Sequence, residues 1–399
     1  HGQHKRGYIR IMGKIETDHT GSGGGITLSS DGTSLLLDGT AIGGGGGSPD
    51  LYRDNAVSAT TPVAAGNNGI AIGSNASNTT THGSSNALAI GTNAVADYWA
   101  TALGAGTDAT GNSSLAVGYN SQATGSKSTA IMNSYASGTT AFAAVIDNNT
   151  STYGATGANS IAMGSLAKAT GSRAVAIGDR NVASGGGSVA LAARSTASGS
   201  NSVAIGFMSD ATGPSSVALG CGYGQQGPQA TMYNSIAIGQ GSLSDKIGKV
   251  AISGFAFAAS GDGQHGIFVL RVATTNATAK PLITGPDWYG SSTADTENQV
   301  VLPNNSAYAF HGTIVARQKA SEGTASAAWK VEGLIRREGS AGTTVLVAST
   351  VTALSNTPSW GMALTADTTN GGLAITATGA ASTNLRFVAT INTSELTYA

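Results

Sequence analysis

Cysteine is almost missing from this chain. Cys221 is the only one in 399 residues, so no disulfide can close within it. Charge is scarce as well: 10% of residues are charged and the net charge is −1, which excludes a broad electrostatic pull toward nucleic acid. The one basic cluster, Lys5, Arg6 and Arg10, reads as a solvated tail. Aromatic residues make up 6%, too few for an ordinary globular core, and much of the 40% hydrophobic content is Ala. No apolar run reaches about 18 residues, so no transmembrane helix and no membrane insertion are expected. No Glu occurs between Glu16 and Glu297, and the Asp residues of that span stand apart, with only Asp179 and Asp210 suggesting an approach. The paired carboxylates of a glycan hydrolase are therefore not expected. The six His are scattered and show no metal-ligand spacing. The expectation is a protein without catalytic residues, metal or cofactor. The first residue is His1, not Met, which reads as processing or cutting and leaves room for an anchoring segment before it.

What the chain has in excess is Gly, 58 residues of it, and a tandem repeat. The unit apolar-Ala-apolar-Gly recurs from residue 70 to residue 253. Clear copies are Ile70-Ala71-Ile72-Gly73, Leu88-Ala89-Ile90-Gly91, Leu115-Ala116-Val117-Gly118, Ile161-Ala162-Met163-Gly164, Val175-Ala176-Ile177-Gly178, Val203-Ala204-Ile205-Gly206, Val217-Ala218-Leu219-Gly220 and Ile236-Ala237-Ile238-Gly239. Degenerate copies start at Thr101, Thr129, Ala143, Val189 and Val250, giving thirteen in all. The period is fourteen, with four or five residues added between 70 and 88, 143 and 161, and 217 and 236. These insertions, placed at 78–85, 150–158 and 222–233, are expected to protrude. A second half follows each unit, clearest in Ala167-Lys168-Ala169-Thr170-Gly171.

Fourteen residues accommodate two strands of about five and two Gly-bearing turns, and runs so short and Gly-interrupted exclude helix. Coils stacked at about 4.8 Å make a parallel β-roll about 60 Å long. In the first strand the outer apolar residues face one way and the Ala between them the other. Both faces must then be covered. One can be covered by the other half of the coil; the second needs another chain, and three-fold closure is the simplest for a rod. The stretch Gly254-Phe255-Ala256-Phe257 is the candidate cap for the last coil.

Asn159-Ser160-Ile161-Ala162-Met163-Gly164, Asn201-Ser202-Val203-Ala204-Ile205-Gly206 and Asn234-Ser235-Ile236-Ala237-Ile238-Gly239 resemble the head repeats of YadA-like trimeric autotransporter adhesins. The resemblance implies a homotrimeric left-handed parallel β-roll that binds extracellular surfaces, collagen in some members, through the coil exterior. Asn159, Ser160, Asn201, Ser202, Asn234 and Ser235 thus become candidate contacts. No heptad stalk and no C-terminal membrane-spanning strands follow, so that family's cell anchor is not read in this sequence. Residues 263–399 instead resemble C-terminal domains of tailed-phage structural proteins, on the stretches Trp329-Lys330-Val331-Glu332-Gly333-Leu334-Ile335-Arg336-Arg337 and Asn384-Leu385-Arg386-Phe387-Val388-Ala389-Thr390.

The expected organisation is an N-terminal attachment segment at 1–50, the roll at 51–262 and a C-terminal β-sandwich at 263–399. In the first, Ile26-Thr27-Leu28, an Asp31-Gly32 turn and Leu35-Leu36-Leu37 read as a hairpin, and Gly43 to Ser48 as a hinge or crossover. No Lys-Ser/Thr follows those glycines, which argues against a phosphate loop. Alternation places sandwich strands at 307–318, 327–338, 343–354, 361–368, 371–379 and 384–398, with an Asn370-Gly371 hairpin turn. Asp262 and His265 read as linker. Further candidate contacts are His82 and Tyr223 in insertions and Trp329 and Trp360 in the sandwich. The expected fold is thus all-β: a trimeric parallel β-roll, then an antiparallel β-sandwich. The expected role is a non-enzymatic phage fibre or tailspike protein of the virion. It would contact other virion proteins through its N-terminal segment and a host receptor, glycan or protein, elsewhere. A capsid head fibre or decoration protein, or a bacterial cell-surface adhesin fragment, are the alternatives.

Overall fold

Each regular coil divides into a three-residue strand, a four-residue turn, a two-residue strand and a five-residue turn, as from Val175–Ile177 through Val182–Ala183 to Val189. The strands are shorter than the five residues expected because nine of the fourteen residues are needed to turn two corners. A computed structural model of the chain describes residues 28–30, 35–37, 40–41, 62–64, 68–78, 86–147, 151–222, 224, 226–285, 293–357 and 360–398. They fall in two compact units, 1–51 and 52–399. In the first, Leu28–Ser30 pairs antiparallel with Leu35–Leu37, which also pairs with Thr40–Ala41. The Asp31-Gly32 turn, Gly43 to Ser48 and the basic cluster at Lys5, Arg6 and Arg10 lie outside the described residues.

In the second unit, identical strands of successive coils pair in parallel register, forming two columns back to back. The column of three-residue strands runs from Ile70–Ile72 to Val250–Ile252, and the column of two-residue strands from Val63–Ala64 to Leu243–Ser244. All thirteen repeats form coils, with one shift: the sixth strand is Phe142–Ala144. Ala143 sits in its middle, paired with Ala130 and Ala162, because the preceding turn, 132–134, is one residue short.

The sheets approach so closely that small side chains fill the space between them, Ala in nearly every coil; Ser244 takes that place in the last second strand, and where Asn78 takes it the neighbouring Gly69 leaves the room. The middle Ala of nearly every first strand and the Ala of nearly every second strand form one continuous buried cluster. Turns impose a similar limit. A Cβ on Gly171 would lie 2.1 Å from the carbonyl oxygen of Gly185 in the next coil, so that corner admits only Gly. Two residues before nearly every first strand the backbone is left-handed, with φ 58° at Asn159, 56° at Asn201 and 55° at Asn234. Asn tolerates this conformation better than most residues, which accounts for its place in the repeat.

The first column does not end at the last coil. It continues into the sandwich, whose strands are β1 Gly263–Thr274, β2 Lys280–Pro281, β3 Val300–Val301, β4 Ser306–Gln318, β5 Ser326–Arg337, β6 Val345–Thr357, β7 Gly361–Asp367, β8 Gly372–Thr378 and β9 Leu385–Thr397. Strand β1 pairs antiparallel with Val250–Ile252, and the large sheet then runs β1-β9-β4-β5-β6. A smaller sheet of β2, β3, β7 and β8 covers its inner face. Phe268, Leu270, Ile314 and Phe387 meet Leu282, Val300, Leu373 and Ile375 in the core between them. The Asn370-Gly371 pair lies in the β7–β8 hairpin, in a four-residue loop rather than a two-residue turn, since Asp367 pairs with Gly372.

Strand β1 replaces the expected linker at His265. It also takes the place expected for the two rings of the cap: Phe255 is 62% and Phe257 81% exposed, and of that stretch Ala256 is the residue buried, against the corner at Gly241. The rim of a coil is a row of unpaired N–H and C=O groups, and what it needs is hydrogen-bond partners rather than apolar cover. Strand β1 supplies them for the first column. For the second, the Gln264 side-chain amide does the work of a strand. Its Oε1 accepts from Leu243 N at 2.8 Å and its Nε2 donates to Leu243 O at 3.0 Å.

Candidate functional site

The first feature to place is the outer face of the three-residue strands. Flanking the buried Ala, residues such as Ile161, Met163, Ile177, Ile205, Ile238 and Ile252 are each between 37% and 40% exposed. Along all thirteen coils this apolar stripe is interrupted only by Thr101 and Thr129 and, in size, by Ala144. It far exceeds what a single soluble chain leaves open to water.

The Asn-Ser pairs of the repeat are placed differently. Asn159, Asn201 and Asn234 lie exposed in the left-handed turn position, while Ser160, Ser202 and Ser235 are fully buried. The Ser160 hydroxyl donates to Gly157 O at 2.7 Å and Ser235 Oγ accepts from Met232 N at 3.2 Å, so both tie corners of the coil. These Ser residues present nothing to a partner. Trp329 and Trp360 are not surface contacts either: both are buried, packed on Phe387 at ring-centre distances of 6.1 and 6.4 Å. They entered the sandwich core because no other side chain matches their apolar area. His82 and Tyr223 lie outside the described residues. Asp179 and Asp210 do not pair: Asp179 is in a first turn, while Asp210 stacks on Thr196 in the second column.

The insertions are narrower than the sequence suggested. Gly154–Ala155 and Gln229–Ala230 are regular second strands, so the extra residues belong to first turns at 145–153 and 220–228. The earliest insertion instead follows Ser77–Asn78, in a second turn. Part of the 145–153 turn packs inward: Ile146 is fully buried, and Tyr153 lies against the Ala core.

Where the roll meets the sandwich, a polar cluster forms that no single motif announces. The buried position before each first strand is Ser or Ala in most coils, as at Ser202, Ser216 and Ser235, but in the last coil it is Lys249. Its ammonium reaches past the end of the roll to Glu395 on β9, Nζ to Oε2 2.7 Å, and both side chains are buried. Glu395 also accepts from Gln264 Nε2 at 2.6 Å and from Thr393 Oγ1 at 2.8 Å. Asp245 stands 3.5 Å from Lys249 and 2.6 Å from Lys246. Burial works against the Asp245 carboxylate, but Lys249 and Lys246 together hold its pKa below the ordinary aspartate value. Burial, then the Glu395 and Asp245 carboxylates, push the Tyr308 phenol well above its usual range, so it remains protonated.

Above this network lies a cavity of about 440 Å³, lined by Asp245, Phe257, Asp262, Tyr308 and Tyr398 among others. Phe257 and Tyr398 are 81% and 89% exposed. The loop that carries Phe257 is held by Asp262, whose carboxylate accepts from the backbone N–H groups of Phe257, Ala258 and Ala259 at 2.8, 2.5 and 2.7 Å. Although burial raises it, these three donors lower the Asp262 pKa overall. The support they give is complete above the ordinary aspartate pKa and fades as pH falls through the depressed one. Gln226, from the last insertion, braces the same loop by donating to Ala258 O at 2.7 Å. A nearly bare ring on a pinned loop, Phe257, and a second just past β9, Tyr398, beside the carboxylates of the cavity, can stack on an apolar ring face and hydrogen-bond its rim.

With this geometry in hand, the family model described as YadA head domain repeat (2 copies) matches residues 109–131, 155–181 and 197–220. The roll carries YadA head repeats. Among solved structures, the tailspike protein of Acinetobacter baumannii phage AM24 is similar at 10% identity and a TM-score of 0.19, over 84% of this chain and 54% of that one. A likeness of that order carries nothing about what this chain does. No curated protein sequence matches.

Proposed function

We propose that this chain is the shaft and head of a non-enzymatic, homotrimeric attachment protein, a phage fibre or spike that binds a host surface. The observation that carries the reading is the apolar stripe beside YadA head repeats. A rod with one water-averse side along its whole length needs partners running parallel to it, and three copies close around an axis. The virion setting rests on the resemblance of the C-terminal strands to tailed-phage structural proteins, and other virion proteins would meet the N-terminal segment. Among the exposed features, the cavity at the end of the roll is our candidate for receptor contact, a glycan being the ligand that suits bare aromatic rings beside a carboxylate.

Two outcomes are expected. Purified protein should scatter light as a trimer of the 39.2 kDa chain at micromolar concentration. A monodisperse monomer would remove the basis of the proposal. The trimer should also bind host cells and compete with whole particles. F257A/Y398A should lower that binding at least tenfold without changing the trimer's mass or melting temperature, since both rings are bare. Undiminished binding by the double variant would move the receptor contact elsewhere, to the insertions or the roll.

A further inference from the structure

At the end of the large sheet away from the roll junction, the antiparallel register sets Arg317 on β4 directly opposite Arg386 on β9. Both face outward and are exposed. On β1, Arg271 stands opposite Val388, one diagonal step from Arg386 on the same face. Cβ atoms directly opposed on antiparallel strands are about 5 Å apart, and like charges so placed repel. Nothing nearby relieves the repulsion. Among the described residues, Arg271 and Arg386 make no ion pair, and Arg317 donates only to Thr324 O at 3.0 Å. Glu322, whose carboxylate is bonded to the cavity's Asn384 and Lys319, is already occupied: it accepts from the Asn384 backbone N at 2.9 Å and from its Nδ2 at 2.5 Å, and lies 3.7 Å from Lys319.

A cavity of about 570 Å³ opens beside Arg317 and Arg386, lined by them with Gln318, Lys319, Asn384, Thr274 and Thr275, while Arg271 stands outside its lining, one diagonal step from Arg386. In a chain of net charge −1, such a concentration of uncompensated cations is out of proportion. Planar guanidinium groups fit carboxylate and phosphate oxygens two at a time, and a bound oxyanion between Arg317 and Arg386 would turn repulsion into attraction. The Asn384 and Gln318 amides and the Thr hydroxyls add donors and acceptors suited to sugar hydroxyls. The volume is that of a small-ligand pocket and holds more than a lone ion.

We propose that Arg271, Arg317 and Arg386 form a binding site for an anionic saccharide, a carboxylate- or phosphate-bearing unit of a surface polysaccharide. The inference rests on the attachment reading but concerns a different surface from the Phe257 cavity. It makes an unusual joint demand. Residues kept for structure should destabilise the fold when removed, whereas these should leave it equal or more stable.

Calorimetric titration of the full trimer tests it with three probes: a galacturonate tetrasaccharide, a phosphorylated mannose oligosaccharide and a neutral galactose tetrasaccharide. At least one acidic probe should bind, more weakly as salt rises, and the neutral one should not. Comparing the two acidic probes tells carboxylate from phosphate. R317Q/R386Q should lose at least tenfold in affinity with an unchanged or higher melting temperature. The proposal is overturned if neither acidic probe binds at millimolar concentration, or if the double variant binds as well as the parent. It is equally overturned if R317Q/R386Q changes the mass of the assembly, since the guanidinium groups would then be paired with carboxylates of a neighbouring copy. Cell binding separates this site from the broader function. A double variant that adheres like the parent rejects the site and leaves attachment standing; a parent that never adheres rejects attachment, while the titration still reads the site.

Discussion

Replacing Ala204 with Glu should abolish the folded rod. Ala204 is fully buried, stacked between Ala190 and Ala218 in register, with Ala197 and Ala211 in the same core. Around Ala204 the space between the two columns is already filled by the methyl groups of its Ala neighbours, so overpacking alone costs about 1–3 kcal/mol. The added carboxylate would find no cation inside, because the buried cluster around it is made almost entirely of Ala. An uncompensated buried charge costs at least several kcal/mol more. Nor can the damage stay local. Each coil is held by its two neighbours, and a coil that cannot close leaves both with an unpaired edge. The expected result is insoluble protein, or soluble aggregate without the parent's β-sheet circular dichroism. Ile205→Glu is the control. Ile205 is next in the chain but 38% exposed on the stripe, so the coil should close and only the proposed trimer should be lost. A soluble A204E trimer with the parent's melting temperature would contradict the packing described for the roll.

The roll was legible because a fourteen-residue period forces every structural demand to recur. Gly at close corners, Ala between sheets and Asn in the left-handed turn are each repeated until chance is excluded. The one-residue slip at Phe142 escaped because Ala143 and Ala144 fit the pattern in either register. The sandwich strands from 306 onward were legible by alternation, to within three residues at each end. Strand β1 was not. Ile267 and Val269 face outward and are as apolar as Phe268 and Leu270, which face inward, so the period of two is masked. The candidate contacts fared worst. Repetition marks what the fold needs, and buried Ser residues repeat as faithfully as any exposed one. Phe257 and Tyr398 carry no motif, and sequence proximity to the last coil suggested a cap. Cross-strand pairs such as Arg317 with Arg386 depend on register, which no local pattern supplies.

The largest effect of a single substitution outside the roll should come from Glu395→Leu. In the parent, Glu395 takes up the buried ammonium of Lys249 together with Gln264 and Thr393. Leucine would leave the buried Lys249 ammonium with only the Asp245 carboxylate, 3.5 Å away and shared with Lys246, in a site it cannot leave, because its stem is enclosed by the last coil. It would also free the Gln264 amide that closes the rim at Leu243. Removing one member of a buried ion pair costs about 3–5 kcal/mol. For a unit of this size that corresponds to a fall in melting temperature of about 5 °C. Because the pair joins the last coil to the last strand, the loss should also appear as faster proteolysis between residues 253 and 263. Lys249→Met alone should cost a comparable amount, by stranding the carboxylate instead. The double variant, K249M/E395L, decides the mechanism. An apolar pair of similar volume removes both charges, so it should recover most of the lost stability rather than double the loss. Strict additivity, with the double variant about twice as destabilised as either single one, would mean that the two side chains act independently and that the sandwich is held to the roll by β1 alone.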